Sequence, residues 1–173
     1  MRRHRNYGMN GGMTDHGKPQ SVSKVPAHAH CHEILVAPSS IDANGHANNI
    51  EFVRWMQEAA IAHADVRGCT ILTREAGAAW VVHTHHIEYL RPAFAGDRIH
   101  VMTWLANLRR AFSLRKYEFV RVSDNVALAR GETDWVFVDA STGRPRSIPD
   151  AIKLMFDPPA PTLIPAAGTP AEG

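Results

Sequence analysis

Within nine residues, Ile41 to Asn49 (IDANGHANN), the chain sets one carboxylate, one imidazole, three carboxamides and a glycine directly ahead of an apolar segment. Asp42 could act as a nucleophile or as a general base toward water, with Asn44 orienting water or substrate and His46 donating a hydrogen bond or shuttling a proton. Gly45 allows a positive φ or a close approach of backbone to ligand. Asn48 is placed to cap a following helix that begins near Asn49, with Asn44 a competitor for that role. The N–H groups of such a helix start, near Gly45 to Ala47, suit an oxyanion. A capped helix after an Asx-type turn explains one Asp or Asn and the glycine, but not Asp42, Asn44 and His46 together.

Two further acids compete for a chemical role. Glu88 falls on the alternation that includes Trp80, Val82, Thr84 and His86, where it could be catalytic or pair with an arginine. Glu58 follows Arg54 at helical i,i+4 spacing, which favours a surface pair. His28, His30 and His32 alternate, as do His83 and His85, a pattern that can bind zinc but is commoner at half-exposed strand positions. No metal and no organic cofactor is therefore expected. Arg109, Arg110, Arg115 and Lys116 concentrate positive charge at a strand turn and could steer a phosphate-bearing or acidic partner. HExxH, GxSxG and Walker patterns are absent, which removes the common zinc-protease, serine-hydrolase and P-loop readings.

The elements that must hold these groups follow from periodicity. HAHCHEILVAP reads as a first strand. From Asn48 to about Arg67 there is no Gly or Pro, and Ile50, Val53, Met56, Ala60 and Ala64, broadened by Phe52, Trp55, Ala59 and Ala62, predict a helix buried on much of its circumference. After Gly68 and a short irregular or helical link, four β-rich segments (79–90, 98–108, 111–122 and 126–139) are joined by hairpin-length turns. In the last, Ala127, Ala129, Gly131, Thr133, Trp135 and Phe137 share a face whose small members would let a helix come close. The expectation is an α+β domain: a five-stranded antiparallel sheet wrapped around one long central helix. Pairing of its exposed sheet edges between subunits predicts a homodimer or homotetramer.

The 173 residues, 45% of them hydrophobic, are enough for one core. That domain should span 25–157, between a disordered basic tail (1–24) and a disordered Pro/Ala-rich tail (158–173). Five of the 19 Lys and Arg fall in 1–24 against one acid, Asp15, so the remainder carries 14 basic and 16 acidic side chains and is no nucleic-acid binder by charge. No apolar run is long enough for a membrane span or a secretory signal, so a cytoplasmic location is expected. Cys31 and Cys69 form no CxxC pair and read as free thiols.

DANGHANNIEFVRWMQEA resembles the D-x-N-x-H-V-N-N-x-x-Y motif of hot-dog-fold thioesterases, the family containing 4-hydroxybenzoyl-CoA thioesterase and bacterial acyl-CoA thioesterases, and is especially similar to plant-type acyl-ACP thioesterases. IEYLRPAFAGD and WVFVDASTGRPRSIP resemble the strand and turn after the helix and the last strand with its exit. The likeness runs over about residues 30–150 and implies the hot-dog fold and hydrolysis of a coenzyme A or acyl-carrier-protein thioester. By position, Asp42 matches the catalytic carboxylate, Asn44 and His46 the Asn and His of the acyl-ACP branch, and Glu88 that branch's glutamate. Ser40 stands where many acyl-CoA members have a second acid or Thr, and the chain has one hot-dog unit where the plant enzymes have two. Phe52 and Trp55 would line the acyl tunnel, between helix and sheet or along a dimer interface, and Arg109 and Arg110 would meet the carrier. A 3-hydroxyacyl-thioester dehydratase and a non-catalytic acyl-thioester-binding module are the alternatives.

Overall fold

In the computed structural model, residues 24–156 are described; the tails expected at 1–24 and 158–173 lie outside the described residues, except for Lys24. The order is β1 (His30–Leu35), a 3₁₀ turn (Pro38–Ser40), α1 (Asn49–Val66), α2 (Cys69–Glu75), β2 (Ala78–Tyr89), β3 (Arg98–Leu108), β4 (Phe112–Arg121), β5 (Val126–Asp139) and α3 (Asp150–Phe156). The strands form one antiparallel sheet in the order β1-β3-β4-β5-β2. With α1 packed on one face of it, this is the α+β hot-dog arrangement anticipated above.

Local chemistry sets the element ends. The Asn48 side chain accepts the Ile50 N–H at 3.1 Å and starts α1. Gly68, at φ 75°, breaks α1 from α2, because a left-handed residue cannot continue the helix. Between β4 and β5, Asn125 takes φ 55° while Asp124 accepts the Val126 N–H.

Three expectations need correction. The link from β2 to β3 is not a hairpin: β2 pairs with β5 and β3 with β1, so residues 90–97 cross the end of the sheet, held where Leu90 and Arg91 both donate to the Leu128 carbonyl. The buried face of α1 is Phe52, Trp55, Met56, Ala59, Ala60 and His63, whereas Ile50 is exposed; the helix buries one stripe, not most of its circumference. In β5 a register shift opposite Phe119 and Val120 carries Ala127 off the small-residue face and puts Leu128 into the core. At Gly131 the close approach is real: a Cβ there would lie 2.8 Å from Met56 Sδ and 2.9 Å from its Cε.

A second apolar cluster joins Cys69, Ala78, Phe137, Ile148 and Ile152, the last from α3, a helix the sequence pattern did not suggest. Cys31 is exposed and Cys69 buried, both as free thiols. Among the described residues no helix is long and apolar enough to cross a membrane.

Candidate active site

The loop from Ile41 to Asn48 is closed on itself before α1 begins. Ile41 and Ala47 form an isolated antiparallel bridge, the Asp42 N–H donates to the His46 carbonyl at 3.0 Å, and the Gly45 N–H donates to the Asp42 carbonyl at 3.0 Å. Gly45 takes φ 84°, which a side chain would strain. Two bonds fasten this turn to its surroundings: Ala47 N–H to the Ala93 carbonyl at 2.8 Å, on the crossing segment, and Asn48 N–H to the Ser40 carbonyl at 2.9 Å. Tyr89, at the end of β2, donates its hydroxyl to the Asn49 carbonyl at 3.1 Å and so pins the foot of α1 to the sheet.

The structure brings Asp42, Asn44 and His46 together. Asp42 Oδ1 accepts the Asn44 N–H at 2.7 Å, and Asn44 Nδ2 lies 3.3 Å from Oδ2. His46 Nδ1 stands 3.9 Å from Asp42 Oδ1. The backbone N–H of Asn44 is the largest of several contacts that hold the Asp42 carboxyl below its ordinary range, so it is a carboxylate at neutral pH. Its side chain is 23% exposed, enough to meet a substrate. Ser40, two residues before it, donates to Glu51 Oε2 at 3.1 Å, and Glu51 in turn pairs with Arg54.

Other expected site residues lie elsewhere. The N–H groups of Gly45 and Ala47 are engaged within the loop and with Ala93, so they are not donors for a ligand; the N–H of Asn49, the first helical residue, has no acceptor among the described residues. Phe52 and Trp55, each 2% exposed, are packed core: Phe52 makes edge contacts with Trp55, Tyr89 and Phe119. Glu88 does not share a face with Trp80 and Val82, because β2 shifts register between Val82 and Thr84. The residue bulged out at His83 reverses the alternation: His85, Ile87 and Tyr89 turn toward α1, while Thr84, His86 and Glu88 turn to the outer face. There Glu88 lines a shallow cleft of about 680 Å³ with His86, Lys116 and Glu132. The same bulge separates His83 from His85, and no group of three or more metal-ligating side chains forms among the described residues. Glu58 pairs with Arg54 at 3.6 Å on the exposed side of α1. Arg109 and Arg110 are exposed at the β3–β4 turn, Arg110 bonding Ser147 Oγ at 3.2 Å.

Sequence reasoning missed a cavity of about 500 Å³ farther along α1, between that helix, α2 and the sheet. Ala60 and Ala64 of α1, Cys69 and Thr73 of α2, Trp80 of β2 and Trp135 of β5 contribute to its wall. Arg115 of β4 also lines it and is 5% exposed. The available signal was its phase: Arg115 alternates with Ser113, Tyr117 and Phe119, all buried, so an arginine grouped with surface cations was in register with the core.

A model of the thioesterase-like superfamily matches residues 36–156, which includes the Asp42 loop, all of α1 and strands β2 to β5. The chain belongs to the thioesterase-like superfamily. Solved structures in this fold include a 1,4-dihydroxy-2-naphthoyl-CoA thioesterase from Synechocystis (TM-score 0.68, 18% identity, covering 74% of this chain and 95% of that one). YbaW, a probable thioesterase from Escherichia coli, has a TM-score of 0.67 at 18% identity over 72% of this chain and 94% of its own. A gentisyl-coenzyme A thioesterase has a TM-score of 0.64 at 16% identity over 73% and 98%. A comparison with curated proteins finds no match. Superfamily membership supports thioester hydrolysis as the class of reaction.

Proposed function

We propose that this protein hydrolyses an acyl-CoA thioester, with Asp42 as the attacking group. The observation that carries this reading is the Asp42 carboxylate, ionised, partly exposed and oriented by Asn44 at the foot of α1. Ionised and partly exposed, Asp42 is available for direct attack on a carbonyl, and this is the role we assign to it over general-base activation of water. Oδ2, with its single long bond to Asn44 Nδ2, is the freer oxygen. Its attack on the thioester carbonyl forms a mixed anhydride and expels the coenzyme A thiolate, which takes a proton from water or His46; a second water then cleaves the anhydride, its proton returning to His46 or to solvent, and this restores Asp42. The Asn49 N–H and the positive end of α1 would stabilise the oxyanion between these steps.

Coenzyme A as the carrier is supported by the solved neighbours named for CoA thioesters. Arg109 and Arg110 are the exposed cations we assign to its phosphates. Glu88 is assigned a charge-pairing role on the outer face, opposite Arg130 in the strand register. We further propose a homodimer formed by antiparallel pairing of the β2 edges.

The test is thiol release from a panel of acyl-CoA esters by wild type and Asp42→Asn. Loss of roughly 100-fold or more in kcat/KM is expected in the variant, with an unchanged far-ultraviolet spectrum. The wild-type profile should stay flat from neutral pH down to the carboxylate range, because the lowered Asp42 pKa keeps the attacking form populated. An enoyl absorbance without thiol would instead mean dehydration, and near-full activity of Asp42→Asn would remove Asp42 from the chemistry.

A further inference from the structure

Arg115 is a buried cation with three of its five N–H donors unmatched among the described residues. It projects from the middle of the sheet toward α1, and no carboxylate pairs with it among the described residues. Its Nη1 donates to His63 Nδ1 at 2.9 Å and to Thr103 Oγ1 at 3.2 Å. His63 offers no countercharge: burial first, then the Arg115 charge, bring its pKa down to about 3, so the imidazole is neutral. Burial also pushes the Arg115 pKa down, but guanidinium starts so high that it stays charged. The two Nη1 bonds fix the plane of the group and leave the edge formed by Nε and Nη2 with no acceptor among the described residues. That edge presents two parallel N–H donors, the fork that matches both oxygens of a carboxylate.

The surroundings point the same way. Ser113, which lines the same cavity, has a buried hydroxyl with no partner. The remaining wall is mostly apolar, as a hydrocarbon or aromatic body would require. Among the described residues the buried charge meets only neutral partners, His63, Thr103 and the Phe156 ring 6.0 Å from its Cζ, and a buried charge without a countercharge is costly, so a fold that keeps one beside a cavity of ligand size has a use for an anion there.

We propose that Arg115 makes this cavity a carboxylate receptor, and that the acyl group hydrolysed carries a second, free carboxylate at the end remote from the thioester. That the occupant is an acyl group rests on the thioesterase reading above; the carboxylate receptor does not. Specificity would then come from the unpaired guanidinium edge: a substrate ending in methyl leaves it empty, and a site built to hydrogen-bond a polar group discriminates strongly against an analogue lacking that group.

Adipyl-CoA, hexanoyl-CoA and the adipyl-CoA monomethyl ester separate charge from length. Wild type should favour adipyl-CoA over both neutral esters by at least about tenfold in kcat/KM, mainly through KM. Arg115→Met should erase that preference, and Arg115→Lys should fall between. Calorimetry with free adipate and terephthalate is the second readout, binding to wild type and not to Arg115→Met. If neither variant folds, the wild-type panel and calorimetry still decide. Equal rates on the three esters with no binding of either dicarboxylate would overturn the receptor and leave hydrolysis standing. Dicarboxylate binding without turnover of any ester would overturn hydrolysis and leave the receptor standing.

Discussion

At the residue scale, the pair His63 and Arg115 links the cavity to the pH dependence of stability. His63 is buried on α1, stacked on His30 at 5.2 Å between ring centroids, and accepts from Arg115 through Nδ1, so its proton sits on Nε2. With a folded pKa near 3 and an ordinary value of 6.5, the folded chain declines a proton that the unfolded chain binds throughout that interval. Stability therefore rises with pH across the interval and falls as the solution is acidified from 6.5 toward 3, by up to about 1.4 kcal/mol per pH unit from this group. His63→Gln keeps an acceptor for Nη1 and cannot titrate. Urea midpoints measured at pH 7, 6 and 5 should decline more steeply for wild type than for His63→Gln. Parallel declines would show that His63 takes up its proton in the folded state.

At the element scale, the contact between α1 and β5 sets how closely the helix that follows the Asp42 loop can lie on the sheet. Met56 is fully buried with its thioether over Gly131, where even a methyl group would stand closer than atoms tolerate. Gly131→Ala should cost about 1–3 kcal/mol by overpacking, read as a lowered urea midpoint, and Met56→Ala in the same chain should recover part of it because the two side chains compete for one space. Full additivity of the two losses would mean that the helix, not Met56, gives way. This contact was legible in the sequence, as were the helix, all five strands and the grouping of Asp42, Asn44 and His46, because each rests on local spacing. What periodicity could not supply were interruptions of itself: the bulge at His83 that turns Glu88 outward and the shift that buries Leu128 depend on the partner strand. The crossing of 90–97 was hidden because its length suits a hairpin equally well. Phe52 and Trp55, expected to line a tunnel, are packed in the core, since apolar residues near a loop look alike in either role. Arg115 was hidden by its type, a charge at a strand position that only burial distinguishes from a surface one.

At the scale of the whole molecule, β2 is a 12-residue strand at the edge of the sheet, with Val81 44% exposed, while the opposite edge is the six-residue β1. Long exposed edges invite pairing, and two copies of β2 related by a two-fold axis would run antiparallel. The start of one β2, where Ala78 and Trp80 line the cavity, would then come opposite the end of the other, where Tyr89 holds the foot of the helix that follows the Asp42 loop. In such a dimer the carboxylate of one subunit would serve the cavity of its partner. Asp42→Asn disables the attacking group, and Ala64→Phe fills the cavity from α1; each homodimer should be nearly inactive. Subunits exchanged at equal concentration give one half mixed dimers, each with one intact site, so about a quarter of wild-type activity should return. Sedimentation should give twice the 19.1 kDa chain mass for every sample. Failure of activity to return in a mixture that has exchanged subunits would place Asp42 and its cavity in the same chain.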